Sequence, residues 1–198
     1  PVIEAILKKQ NITISIDTYK SSVAKAAIDA GAKIINDISS GDMDTDMPEI
    51  AAEYGCIICL MHMKGTPGTM QNAPQYKNVI GEVYDYLYEK ANEFVEAGCD
   101  PDGIIIDPGF GFGKTAEHNL ELIRRLRELR SLGKPILMGT SRKSTIGKVL
   151  GDLPVSERLE GTAATVALSI ANGADIVRVH DVKEMVRVAK MTDAIVRK

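Results

Sequence analysis

Apolar runs in this chain end on residues that can carry charge or hydrogen-bond a ligand. Asp17 closes Ile14-Ser-Ile-Asp17, Asn36 and Asp37 follow Ile34-Ile35, His62 follows Leu60-Met61, and Asp107 closes Ile104-Ile-Ile-Asp107. Ser141-Arg-Lys-Ser144 follows Leu137-Met-Gly139, and Arg178 and His180 alternate with valine in Ile176-Val-Arg-Val-His180. A carboxylate inside an apolar run is costly to bury unless something pairs with it, so Asp17 and Asp107 call for partners. A strand-end Asp or Asn often caps the next helix, and a single His is more often a hydrogen-bonded bystander than a catalyst. Here every run ends this way, which makes one shared site the better reading.

At Gly139-Thr-Ser-Arg-Lys-Ser144, backbone amides, hydroxyls and the cations Arg142 and Lys143 converge, a natural seat for an anion or a carbonyl oxygen. The tetrapeptide taken alone is equally consistent with a solvated turn. Asp107-Pro-Gly-Phe-Gly-Phe-Gly-Lys-Thr115 invites comparison with phosphate loops but fits neither glycine fingerprint, since Pro108 stands where a Walker loop needs glycine. Its glycines let the backbone turn tightly, while Phe110 or Phe112 could lie against a flat ring. His118 has no Cys or His at metal-ligand spacing and reads as a helix start, and no Gly-x-Ser-x-Gly elbow is present.

The elements that must position these residues alternate as βα units. Strands are expected over 12–17, 34–38, 57–62, 103–107, 135–139 and 176–180, rich in Ile and Val without polar alternation, as suits strands buried on both faces. Helical spacing joins Val79, Ile80, Val83, Leu87, Ala91, Phe94 and Val95, and also Leu122, Ile123, Leu126 and Leu129. A third helix is expected from an N-cap Ser156 past Ile170, and a fourth from a capping box at Asp181-Val-Lys-Glu184. Gly31, Gly55, Gly98, Gly133 and Gly173 fall where left-handed helix ends are expected. The irregular stretch 64–75 reads as an active-site loop. The pattern predicts a single domain over 1–198 built of six βα units; an eight-stranded parallel α/β barrel, (β/α)8 or TIM barrel, fits it if two opening βα units lie outside this chain, as is expected. A six-stranded open doubly wound sheet competes, and periodicity alone does not separate the two.

A formal charge of -3 and a pI near 5.7 give no basic excess, so neither a nucleic acid nor an anionic membrane surface is implied as partner. No apolar run approaches the roughly 20 residues of a membrane span, and a cytoplasmic location is expected. Three cysteines argue against a disulfide framework. Strand alternation would turn Cys56 and Cys59 to opposite faces, so both read as small apolar residues.

The motifs Asp17-Thr-Tyr-Lys20, Ile35-Asn-Asp-Ile38, Leu60-Met-His-Met63, Asp107-Pro-Gly109, Ser141-Arg-Lys-Ser144 and Arg178-Val-His-Asp181, in this order, resemble those of dihydropteroate synthases over essentially the whole chain. The resemblance implies a transferase of folate biosynthesis that joins p-aminobenzoate to hydroxymethyl-dihydropterin pyrophosphate and releases pyrophosphate. It implies that Asp107 accepts the two-donor edge of the pterin, that Asn36 meets the ring edge, that Lys143 donates to the ring carbonyl, and that Met61 packs along the ring face. Asp17 would favour the pterin-methyl cation formed as the leaving group departs, which makes Asp17 and Lys143 the catalytic candidates. Arg178 and His180 match pyrophosphate ligands, and Phe112 and Ser144 match residues beside the aminobenzoate, with Gly139 and Arg142 in the same corner. The resemblance further implies magnesium, whose matching Asn ligand is absent from this sequence, so no metal ligand is assigned; it also implies a homodimer.

Three rivals stand beside this reading. A pterin-dependent methyltransferase on the same barrel would not need the Ser141-Arg-Lys-Ser144 corner. An aldolase could use Lys143 as a Schiff base. A non-catalytic pterin-binding fragment would bind the ring without turnover.

Overall fold

The computed structural model describes residues 1–65, 68 and 74–197. Most of the loop 64–75 expected to serve the active site therefore lies outside the described residues. The chain divides into two compact units, Pro1–His62 with Asp85–Ile106 and Met63–Tyr84 with Asp107–Lys198.

The first unit runs α1 (Val2–Leu7), β1 (Ser15–Asp17), α2 (Ser21–Asp29), β2 (Ile34–Asp37), α3 (Met47–Glu53) and β3 (Ile57–Met61), and takes in most of α4 (Val79–Glu96) and of β4 (Ile104–Asp107). The strands form one sheet in the order β1-β2-β3-β4. β2 pairs in parallel with both β1 and β3, and the register sets Asp17 against Asn36 and Asn36 against Cys59. β1 is shorter than expected because the ladder starts only where the Ile14 carbonyl accepts from Lys33 and Ile34, and Ile12 beyond it is exposed. Ile35, Met47, Ile58, Leu60, Phe94 and Ile104 are buried together in one core. Each such side chain contributes about 1.5–3 kcal/mol through removal from water.

The second unit contains α5 (Ala116–Arg125), a 3-10 segment (Leu126–Leu132), β5 (Leu137–Met138), α6 (Ser144–Val149), α7 (Leu159–Ala171), β6 (Ile176–Val177) and α8 (Val182–Val196). β5 and β6 pair in parallel, and the bond from Arg178 N to the Met138 carbonyl, 3.0 Å, carries the ladder one step further. Val166 and Ile170 of α7 pack with Met185 of α8.

Two helix starts differ from expectation. α7 begins at Leu159 with Arg158 before it, while Ser156 sits in a 3-10 turn, Val155–Glu157, that follows Pro154. The Arg158 side chain is held by the carbonyls of Leu153 and Arg142, which fixes where the helix can start. Asp181 precedes α8, but its side chain makes no capping bond, because both carboxylate oxygens accept from Arg142. The helix expected over Leu122 to Leu129 tightens to 3-10 at Leu126 and closes at Gly133, whose φ of 68° is left-handed. Gly31, Gly55, Gly98 and Gly173 also have positive φ, as their positions demand. The three cysteines are free thiols, with Cys59 and Cys99 buried.

Candidate active site

In the first unit the β1–β2 register brings two of the candidates together. Asn36 Nδ2 donates to Asp17 Oδ1 at 3.4 Å, and the Asn36 carbonyl accepts from Thr18 N at 3.1 Å. Asp17 is exposed at the strand end and Asn36 is half-buried. Asp37, its neighbour, is wholly buried, and its carboxylate accepts from Ser39 N, Ser39 Oγ and Gly41 N at 2.7–2.8 Å. Asp37 therefore builds the loop after β2. Met61 is buried at the end of β3, and its carbonyl accepts from Ser40 Oγ at 3.1 Å. His62, also buried, meets Tyr86 edge to face with ring centres 5.1 Å apart.

In the second unit the candidates gather around Asp107 at the end of β4. Its Oδ1 accepts from Gly109 N at 2.7 Å, and the cations that act on it are Lys114, Lys143 and Arg178. Burial pushes the Asp107 carboxyl up to about 6, against the pull of that hydrogen bond and those charges. Lys114 is buried as well, and desolvation pushes its ammonium down to about 7. Its Nζ donates to the carbonyls of Gly109 and Phe112, each at 3.0 Å.

The glycine-rich turn that follows is fastened along its length. Phe112 N donates to the Gly109 carbonyl, Gly111 N to Asn119 Oδ1 at 2.8 Å, and Tyr76 Oη to the Gly113 carbonyl at 2.8 Å. Gly113, with φ 63°, lies so close to the Lys64 backbone that a Cβ there would collide with it. The turn presents Phe112 beneath Lys143, whose Nζ is 4.1 Å from the ring centre. Thr115 then caps α5, its hydroxyl accepting from His118 N while His118 Nδ1 accepts from Thr115 N; the helix start expected at His118 is found.

The Ser141-Arg-Lys-Ser144 corner is built rather than merely solvated. Arg142 has a left-handed φ of 56°, held by its N–H on Thr162 Oγ1 and by Arg158 on its carbonyl. Its guanidinium meets the Asp181 carboxylate in a two-point pair, Nε to Oδ2 at 2.8 Å, and holds that carboxyl below its usual range. Ser141 Oγ bonds His180 Nδ1 at 2.9 Å and accepts from His180 N at 3.2 Å, so an anion approaching the ring must meet Nε2. Ser144 is exposed at the first turn of α6, and a Cβ added at Gly139 would meet nothing within 4 Å, leaving room beside β5.

Lys114, Asn119, Tyr76 and Asp181 escaped the sequence reading as site residues. For Asn119 a signal existed: it falls on the same helix face as the buried Leu122, Ile123 and Leu126, an odd place for an amide unless the fold supplies partners, as Gly111 N, Thr115 and Thr145 do.

The chain matches the family described as pterin binding enzyme over residues 1–180. It is similar to the dihydropteroate synthase of Clostridium beijerinckii, with 49% identity over 199 residues, covering 100% of this chain and 71% of that protein. The chain belongs to the dihydropteroate synthase family. Its structure is similar to that of the Yersinia pestis dihydropteroate synthase with a sulfonamide drug complex, at TM-score 0.95 and 38% identity, covering 98% of this chain and 70% of that one. It is also similar to the Xanthomonas albilineans dihydropteroate synthase in complex with 7,8-dihydropteroate, at TM-score 0.92 and 35% identity, covering 100% of this chain and 72% of that one. The α/β architecture with parallel strands is thus that of the dihydropteroate synthase barrels, as expected, and the competing open sheet is set aside. Membership makes the chain a transferase by family. Among the described residues there is no group of three or more His, Cys, Asp or Glu placed to hold a metal ion. No described helix is long and apolar enough to cross a membrane.

Proposed function

We propose that this protein condenses p-aminobenzoate with hydroxymethyl-dihydropterin pyrophosphate, and that Asp107 is its pterin anchor. The observation that carries the reading is the buried Asp107 carboxylate, with one oxygen occupied by Gly109 N and the cations Lys114, Lys143 and Arg178 acting on it. A pterin offers an amino group and a ring N–H side by side, and a desolvated carboxylate accepts such a pair more strongly than water does.

In the reaction the carbon–oxygen bond to pyrophosphate breaks and leaves a pterin-methyl cation. The amino nitrogen of p-aminobenzoate then bonds to that carbon and loses a proton. In the second unit, Lys143 donates to the ring carbonyl, and its position over Phe112 suits the aminobenzoate ring lying beside both. Arg178 and His180 balance the charge of the departing pyrophosphate, while the Arg142–Asp181 pair holds the corner from which Ser144 and Gly139 border the second substrate. In the first unit Asn36 is bonded to Asp17; the resemblance assigns Asp17 to developing positive charge, Asn36 to a ring edge and Met61 to a soft apolar surface. A homodimer, as the resemblance implies, and the cytoplasmic location expected from the sequence belong to the same proposal.

Incubation with both substrates and detection of dihydropteroate tests the proposal. Product formed by the wild type and lost in Asp107→Asn supports it. Pterin binding without product would favour the non-catalytic reading.

A further inference from the structure

We propose that Lys114 is a positioning residue for this reaction: its ammonium ties the Gly109 and Phe112 carbonyls into one rigid turn, and so fixes the Asp107 carboxylate and the Phe112 ring relative to each other. The inference rests on the substrate roles proposed above for Asp107 and Phe112.

Only 2% of Lys114 is exposed, and the glycine-rich turn could be closed by backbone bonds alone, as Phe112 N to the Gly109 carbonyl already does. Burying an ammonium costs several kcal/mol unless it is paired and hydrogen-bonded. Here the charge is placed where it acts on both ends of the turn. At one end the Gly109 carbonyl accepts from Lys114 at 3.0 Å while Gly109 N donates to Asp107 at 2.7 Å. At the other the carbonyl of Phe112, whose ring Lys143 covers, accepts at 3.0 Å. One side chain therefore links the group assigned to the pterin with the group assigned to the aminobenzoate.

The charges around the pair give the arrangement a pH signature. Lys114 is acted on by Asp107 and by the cations Lys143 and Lys64, and Asp107 by Lys114, Lys143 and Arg178. Removing the Lys114 charge withdraws one of the cations that favour ionised Asp107, so Asp107 must hold its proton to higher pH. A side chain that merely filled space would have no such effect.

The test compares wild type, Lys114→Met and Lys114→Gln in titrations with the pterin pyrophosphate across the range from about pH 5 to about pH 8, together with the KM for p-aminobenzoate. Both variants are expected to move the midpoint of the pH dependence of pterin binding upward by about one unit. The KM should rise about tenfold in Lys114→Met and less in Lys114→Gln, which can still donate to one carbonyl. If Lys114→Met does not fold, Lys114→Gln carries the test, since it lacks the charge but keeps a donor. Folded variants with an unmoved midpoint and an unchanged KM overturn the inference, while the wild type still distinguishes itself from Asp107→Asn. If Asp107→Asn binds the pterin as the wild type does, the proposed function falls, and this inference with it.

Discussion

Lys143 Nζ stands 4.1 Å from the centre of the Phe112 ring, and its stem runs over Gly111, where an added Cβ would come within 3.2 Å of Cδ. The cation and the ring thus hold each other at the place assigned to p-aminobenzoate. Phe112→Ala removes the ring and frees Lys143. A loss of about 0.5–2 kcal/mol follows for a cation over an aromatic face, which corresponds to a KM for p-aminobenzoate raised roughly 2- to 30-fold. Pterin affinity, measured separately by calorimetry, should change less than this KM, since Lys143 keeps its own donors for the ring carbonyl.

Acidification should weaken pterin binding. Asp107 sits at about 6, and only its carboxylate accepts two donors, so affinity falls as pH drops through that value and approaches a tenfold loss per unit below it. The folding contribution has the opposite sign. The folded state holds the Asp107 proton more tightly than an unfolded chain does, so this residue adds stability at low pH and that gain disappears as pH rises through about 6. Titrations at several pH values check the first statement; an affinity that stays flat down to about pH 5 would contradict it.

Gly113 and Gly133 both have φ between 60° and 70°, but only Gly113 has backbone within reach of a Cβ, that of Lys64. Alanine at Gly133 should cost about 1 kcal/mol, the penalty of a left-handed alanine alone. Alanine at Gly113 should cost at least about 2 kcal/mol more, because the turn or Lys64 must move. Denaturant unfolding of the two variants measures the difference, and equal losses would show that the close approach is unimportant.

Asp181→Ala removes the partner of Arg142, whose backbone is held left-handed at φ 56°. The pair is partly exposed, so the stability loss should be modest. The larger effect is expected on the KM for p-aminobenzoate, since the Ser141-Arg-Lys-Ser144 turn loses a brace. A KM unchanged from the wild type would show that Thr162 and Arg158 hold the corner without it.

The central strands were legible because parallel strands buried on both faces, as β3, β4 and β5 largely are, read as apolar runs that stop where the backbone leaves the sheet; β1 and β6 are partly exposed, contrary to the expectation of burial on both faces. The glycine ends of the helices were legible for a similar reason: each is a local conformation with one favoured residue. What local spacing could not show was who wins a side chain with two possible partners. Asp181 has the spacing of a capping box, yet Arg142, distant in sequence, takes both its oxygens. Ser156 has the chemistry of a cap, but Arg158, pinned from Leu153 and Arg142, sets the helix start two residues on. Lys114 looks like a solvated loop lysine until the fold buries it against two carbonyls.

The central claim, that the pocket around Asp107 binds a pterin, is tested most directly by calorimetric titration of the pterin pyrophosphate into wild type and Asp107→Asn. Loss of a charge-assisted pair predicts binding weaker by about 1.5–3 kcal/mol, a roughly 10- to 150-fold rise in Kd. Equal affinity in a folded Asp107→Asn variant would contradict the assignment.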